Sequence, residues 1–307
     1  MYNTSLQQLM KTKLIFVLAI LLQHLSGLAQ KTTESPKNQL IIIAQANQGN
    51  SYITFPTDIG NISPLWFEGN LIPNFYIRQS QNSRLIGVLT PQIIIRMYQE
   101  ESFPIRTPSY MPQITLHYFL KKGKNQHASS MYGRLTHHSN GQDGPFFQED
   151  GSLNLKSGDF ATNFFELGFI STLFNSRLNA YKFFKTSFEI HPKEMIQKEL
   201  HGIYSRYRWH NTFSVFKLPP VENQSVKKKP TFSIKGETTW MFGNYNSLKN
   251  ISSDRLNLRF TFYYHPSFFE DIGLFAQFYH GSDYYNMQFD QILNVLRFGI
   301  MTEKLRF

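Results

Sequence analysis

The 307-residue chain contains no cysteine, so neither disulfides nor thiolate–metal sites hold it together. Charge is scarce too: Asp, Glu, Lys and Arg make up 17% of the residues, while Phe, Trp and Tyr make up 16%. Beyond the first thirty residues no apolar run is long enough for a membrane-spanning helix. No glycine-rich loop suited to cradling phosphates occurs. The aromatics follow strand alternation rather than forming a stacking platform for bases, so nucleic acid is not an expected partner. Soluble proteins seldom combine so many aromatics with so few charges. Transmembrane barrels do, because alternate residues face lipid and aromatic girdles mark both interfaces.

Residues 1–30 read as a secretory signal. Lys11 and Lys13 precede LIFVLAILL, and Ser26, Gly27 and Ala29 suit cleavage near Ala29 or Gln30. Met10 is an alternative start to Met1. Residues 31–50 are expected to form an N-terminal periplasmic extension, and 51–307 the folded domain. That domain shows about twelve strand-like runs, near 51–58, 70–79, 84–98, 109–121, 129–140, 161–173, 179–191, 201–216, 230–242, 254–265, 271–281 and 291–301. Alternation is clearest in RLNLRFTFYY, where Leu256, Leu258, Phe260 and Phe262 oppose Asn257, Arg259 and Thr261. The expected fold is all-β: a single antiparallel transmembrane β-barrel of about 12 strands with a polar interior. Ring closure satisfies every strand's backbone groups, as lipid requires. The competing fold, a soluble β-sandwich, would turn the apolar face inward. The net charge of +10 is not gathered in one patch; Lys227, Lys228 and Lys229 read as a solvated loop. A basic surface suits anionic lipid headgroups.

One stretch carries candidate chemistry: YGRLTHHSNGQDG, Tyr132 to Gly144. On a strand, His137 and Ser139 point the same way, about 7 Å apart along the backbone, a gap an imidazole and a hydroxyl can close. A neighbouring base turns a serine into a nucleophile. On the following run, GDFATNFFELGFIST, Asn163 shares a face with Phe165, Leu167 and Phe169. If the two strands pair, Asn163 reaches the far nitrogen of His137 and fixes its tautomer. This triad would look outward into apolar surroundings. Gly141 follows at a turn, where its N–H is a candidate oxyanion donor. The long loop 141–160 is expected outside the cell, with 99–108 on the same side if the turn near 122–128 is the single connection between them.

HxSNG followed by TN on the next strand resembles the outer-membrane phospholipase A family of Gram-negative bacteria. Glu101 to Leu116 and Leu274 to Gln291 resemble two further segments of that family. The resemblance implies an outer-membrane enzyme that hydrolyses acyl esters of phospholipids. It also implies a catalytic Ca²⁺ and activity as a homodimer. The Gln142 carbonyl would be one calcium ligand and Ser102 one supplied by the partner subunit. Ser157 is the expected third, with Asp159 and Ser152 as alternatives. Two other functions remain open. A lipid A 3-O-deacylase also carries an HxS pair but uses a glutamate, and here Glu166 lies on the opposite face. A non-catalytic pore with a remnant triad is the other.

Remaining residues have plainer expected roles. His138 and Gln92 face the lumen, and Glu166 pairs there with Arg134. Trp240, Tyr263–Tyr264 and Tyr284–Tyr285 would be girdle residues. His191, His201 and His210 are too scattered for a metal site, and PKEMIQKEL is a short helix with no tie to chemistry.

Overall fold

The computed structural model describes residues 37–302 except 56–57, 62, 81–82, 103, 123–126, 176, 179, 218–230, 246–251, 267 and 270–271. The expected signal segment 1–30, Lys227–Lys229 and the C-terminal Phe307 lie outside the described residues. One helix, α1 (Lys37–Gln48), precedes the strands β1 (Tyr52–Thr54), β2 (Leu65–Leu71), β3 (Phe75–Ile77), β4 (Leu85–Tyr98), β5 (Ser109–Lys122) and β6 (His127–Ser139). Then come β7 (Ala161–Asn175), β8 (Ala180–Ile190), β9 (Tyr207–Lys217), β10 (Thr231–Phe242), β11 (Leu256–His265), β12 (Ile272–Ser282) and β13 (Ile292–Thr302).

From β4 to β13 each strand pairs antiparallel with the next, β13 pairs with β1, β1 with β2, and β2 with β4. Twelve strands therefore close a ring, and β3 continues the line of β2 along β4. The expected runs 51–58 and 70–79 are corrected: the first shrinks to β1, and the second is replaced by β2 and β3. Pro73 lies in the break between them, where a residue without an N–H cannot serve the ladder. The expected run 201–216 begins only at Tyr207, because 201–206 turn inside the preceding loop.

Parity sorts the faces. Leu167, Phe213, Phe260, Phe278, Leu296, Phe298 and Ile300 are exposed on the outer wall. Inside, Arg96 bonds Glu68 at 2.8 Å and Asp283 at 2.6 Å, and Arg297 bonds Asp58 at 2.6 Å. Arg134 bonds Glu166 at 2.9 Å, and Gln92 donates to Asn70 at 3.0 Å. A greasy exterior around a paired, polar interior is the inverse of a sandwich.

Because neighbours alternate in direction, the connections 99–108, 140–160, 191–206, 243–255 and 283–291 all leave one rim. The helix α1 lies at the other end. Residues 37–48, inside the expected extension 31–50, are helical. They form a helix whose Ile43 and Ala44 are fully buried against Ile86, Val88, Phe119, Ala128 and Ile170. Gly49 ends it at φ +73, a conformation that favours glycine. At the long-loop end Phe146, Phe160, Ile196, Leu200, Tyr204, Met287 and Phe289 form a second apolar cluster. The ring is thus filled at both ends with ion pairs between. Tyr284 and Tyr285 are not girdle residues: loop 283–291 folds back into the mouth, Tyr284 bonds Glu68, and Arg96 lies 4.4 Å over the Tyr285 ring. Tyr263 likewise packs against the inner cluster.

Candidate active site

The site lies where β6 and β7 reach the long-loop rim. Their register sets His137 opposite Asn163, His138 opposite Thr162 and Ser139 opposite Ala161. His137 Nδ1 lies 2.9 Å from Asn163 Oδ1, on the outer wall. The Asn163 Nδ2 donates to the Met195 carbonyl at 2.9 Å. With its NH₂ engaged there, the amide presents only oxygen to the imidazole. Nδ1 then carries the hydrogen, and Nε2 keeps its lone pair as a base. Ser139 is half-buried two residues along the same face. Its hydroxyl has no hydrogen-bond partner among the described residues, so it does not bond His137 in this structure and remains able to turn toward it.

Asn140 organises the turn that follows, a role the sequence did not reveal beyond the turn-forming pair Asn140–Gly141. Its buried side chain donates to the Gly158 carbonyl at 2.7 Å and accepts from Phe160 N at 3.1 Å and Gln142 N at 3.2 Å. Gly141 follows at φ +66, against the Tyr110 ring, and its N–H has no partner among the described residues. Within loop 141–160, residues 146–154 form a small antiparallel hairpin, and beneath it a parallel bridge joins Gly144 to Gly158. Gly144 cannot be another residue, since a Cβ would lie 2.4 Å from the Ser157 carbonyl oxygen.

No protein-family model matches this sequence, and no curated protein matches it. Solved structures do. Outer membrane phospholipase A from Escherichia coli aligns with a TM-score of 0.57 at 11% identity, over 86% of this chain and 98% of that one. An active-site asparagine-to-alanine mutant of the same enzyme aligns at 0.57 and 10% identity, over 90% of this chain and 100% of that one. The Salmonella typhi phospholipase, a dimer with bound calcium, aligns at 0.56 and 11% identity, over 90% and 100% of the two chains.

The fold is that of outer membrane phospholipase A.

Within this outer-membrane-type barrel the expected site residues fall into two groups. His137 and Asn163 are bonded, with Ser139 and Gly141 beside them at the same strand end. The expected metal ligands Gln142, Ser157 and Ser102 are less closely assembled. The Gln142 carbonyl has no hydrogen-bond partner among the described residues, which leaves it open to a cation. Ser157 sits at the base of the hairpin, its carbonyl accepting from Gly144 N at 3.0 Å and its hydroxyl from Asn154 at 3.1 Å. Ser102 is exposed, at φ +66, and has no described contact with either. Among the alternatives, Ser152 is tied to Asp150 at the hairpin tip, at 2.6 Å. Asp159 is at the base. Burial, then Glu199 and Asp143, push its carboxyl above the usual range. Oxygen donors of this kind fit calcium's preference.

His138 points inward, bonded to Ser109 at 3.1 Å and edge-on to Phe160. Glu166 is buried inside, bonded to Tyr132, Arg134 and Ser187. The stretch PKEMIQKEL forms two short 3-10 turns, 193–195 and 198–200. It is tied to the site after all, through the Met195 carbonyl. A backbone acceptor leaves no signature in residue type, so the sequence could not announce it. The HxS spacing also recurs. His280 and Ser282 end β12, and His280 Nδ1 lies 2.6 Å from Asn294 Oδ1 on β13.

Proposed function

We propose that the protein hydrolyses acyl ester bonds of glycerophospholipids, as a phospholipase A1/A2. The observation that carries this reading is the His137–Asn163 pair, with its tautomer fixed by Met195, beside a half-buried Ser139 on a lipid-facing wall. His137 Nε2 takes the Ser139 proton as Oγ attacks the ester carbonyl carbon. The Gly141 N–H faces the developing oxyanion, a contact of the kind that contributes about 3–4 kcal/mol. Collapse breaks the acyl–oxygen bond, and His137 returns the proton to the departing lysophospholipid oxygen. Water, deprotonated by His137, then attacks the acyl-serine, releasing the fatty acid and restoring Ser139. Asn163 holds the imidazole through both steps.

Calcium, when bound by the Gln142 carbonyl, Ser157 and Ser102 of the partner subunit, would supply positive charge beside the ester carbonyl. The phospholipase structures support this assignment: one is named as an active-site asparagine mutant and another as a calcium-bound dimer. Sharing one ion between two barrels would make the enzyme active as a homodimer. The deacylase alternative lacks its third member, since Glu166 is committed to Arg134, Tyr132 and Ser187 inside the wall. The pore alternative is disfavoured by apolar clusters at both ends of the lumen.

The deciding experiment compares fatty-acid release from phosphatidylethanolamine micelles, with Ca²⁺, by the wild type and Ser139→Ala. Release by the wild type alone is expected. Equal release, or none from either, would sink the assignment, and release from lipid A alone would favour the deacylase.

A further inference from the structure

We propose that Gln197 is a positioning residue for the triad, latching the segment that dictates which end of the Asn163 amide faces His137. The inference rests on the esterase reading of that site. An asparagine in a triad has a weakness an aspartate lacks: turned by 180°, it presents NH₂ where the imidazole needs an acceptor. Something must hold it one way round, and here that is the Met195 carbonyl, 2.9 Å from Asn163 Nδ2.

Met195 lies in a long loop, so its carbonyl needs fixing in turn. Two features do so. Ile196 is buried in the apolar cluster at the barrel mouth. Gln197 grips the start of β7 from both its backbone and its side chain. Its N–H donates to the Ala161 carbonyl at 3.1 Å, and its Oε1 accepts from Ala161 N at 3.1 Å. Its Nε2 donates to Asp159 Oδ2 at 3.3 Å. Thr162 and Ile196 form an isolated antiparallel bridge between these contacts. Segment 195–197 is thus a three-residue splint along β7, and the side chain of Gln197 is its only polar side-chain clamp among the described residues. Through Asp159 it also ties segment 195–197 to the end of loop 141–160.

Truncating Gln197 removes the side-chain clamp and lets the Met195 carbonyl drift. The Asn163 amide then turns over, and His137 is held with its hydrogen on Nε2, the wrong nitrogen for a base. Gln197→Ala should therefore lower kcat for ester hydrolysis by about 10- to 100-fold, at or below the low end of what general acid–base catalysis contributes, because the imidazole is misdirected rather than removed. KM should change little.

The discriminating test places Gln197→Ala in two backgrounds, wild type and Asn163→Asp. Aspartate offers oxygen from either side and needs no latch, so there the same truncation should cost less than about threefold. In parallel, ¹⁵N shifts of His137 in micelles report its tautomer without turnover, and Gln197→Ala should move hydrogen from Nδ1 toward Nε2. Equal losses in both backgrounds, with an unchanged His137 tautomer, would overturn the inference. Should Asn163→Asp itself be inactive, the tautomer measurement decides alone. Failure of the underlying reading looks different: Ser139→Ala would then hydrolyse as fast as the wild type.

Discussion

The same three residue types in the same cross-strand register close two hairpins on this barrel. At one, His137 and Ser139 end β6, and Asn163 answers from β7. At the other, His280 and Ser282 end β12, and Asn294 answers from β13. Both histidines offer Nδ1 to an asparagine oxygen, at 2.9 and 2.6 Å. The difference lies in the hydroxyl and the amide. Ser139 is half-buried and has no partner among the described residues, whereas the buried Ser282 donates to the Phe289 carbonyl at 2.6 Å. Asn163 is latched by Met195, whereas among the described residues nothing accepts from the Asn294 NH₂. Gly281, between histidine and serine, sits at φ +140 with Asn257 close against it, while β12 keeps its register through Ser282. A histidine–asparagine pair on a barrel wall is thus no sign of catalysis by itself. An available hydroxyl and a fixed amide set the first hairpin apart.

The largest expected effect separates the two serines. Ser139→Ala should lower fatty-acid release by about a thousandfold or more, and Ser282→Ala should leave it within about twofold while costing about 1 kcal/mol of stability from the lost buried hydrogen bond. Melting curves and release assays on both variants check this, and comparable activity losses would erase the distinction. Next come the asparagines. Asn163→Ala should cost about 10- to 100-fold in kcat through loss of imidazole orientation, and Asn294→Ala should be silent in the same assay. Chelation is the third test. Withdrawing Ca²⁺ should reduce turnover about tenfold or more and lower the melting temperature, since an ion bound only by the folded state stabilises it; full activity in chelator would remove the ion from the scheme while leaving the triad.

The smallest effect concerns pH. His191, which follows β8, is buried between the Phe164 and Tyr204 rings, bonded to Thr162 at 2.8 Å and Glu189 at 2.7 Å. Burial, partly offset by Glu189, lowers its affinity for a proton. A base whose folded pKa lies below its unfolded value stabilises fully above the latter, near 6.5, and loses that contribution as pH falls below it. Asp290 in loop 283–291, exposed at its surface, has its pKa raised chiefly by partial desolvation, the opposite sign, so acidification strengthens its contribution. Amide protection, corrected for the intrinsic pH dependence of exchange, should therefore fall between pH 7.5 and 5 in loop 191–206 and not in loop 283–291. Uniform behaviour of the two loops would contradict this.

Alternation in the sequence was enough to place ten of the barrel strands near their positions, because side-chain parity is a local property of extended backbone. The same parity put His137, Ser139 and Asn163 on one outer face and Glu166, His138 and Gln92 inside. It failed where an environment was made by distant chain. Residues 37–48 carry helix-forming Ala, Leu and Gln, but only the ring of strands made a lumen for Ile43 to enter. Tyr284 and Tyr285 look like girdle aromatics until loop 283–291 folds inward.

The sequence by itself determined the barrel and the outward histidine, serine and asparagine, since both follow from the two-residue repeat of a strand. Only the tertiary structure decided which of two identical spacings keeps an unengaged hydroxyl. That choice depends on a backbone carbonyl, Met195 in one case and Phe289 in the other, brought in by a separate loop, and backbone groups are the same at every position in a sequence.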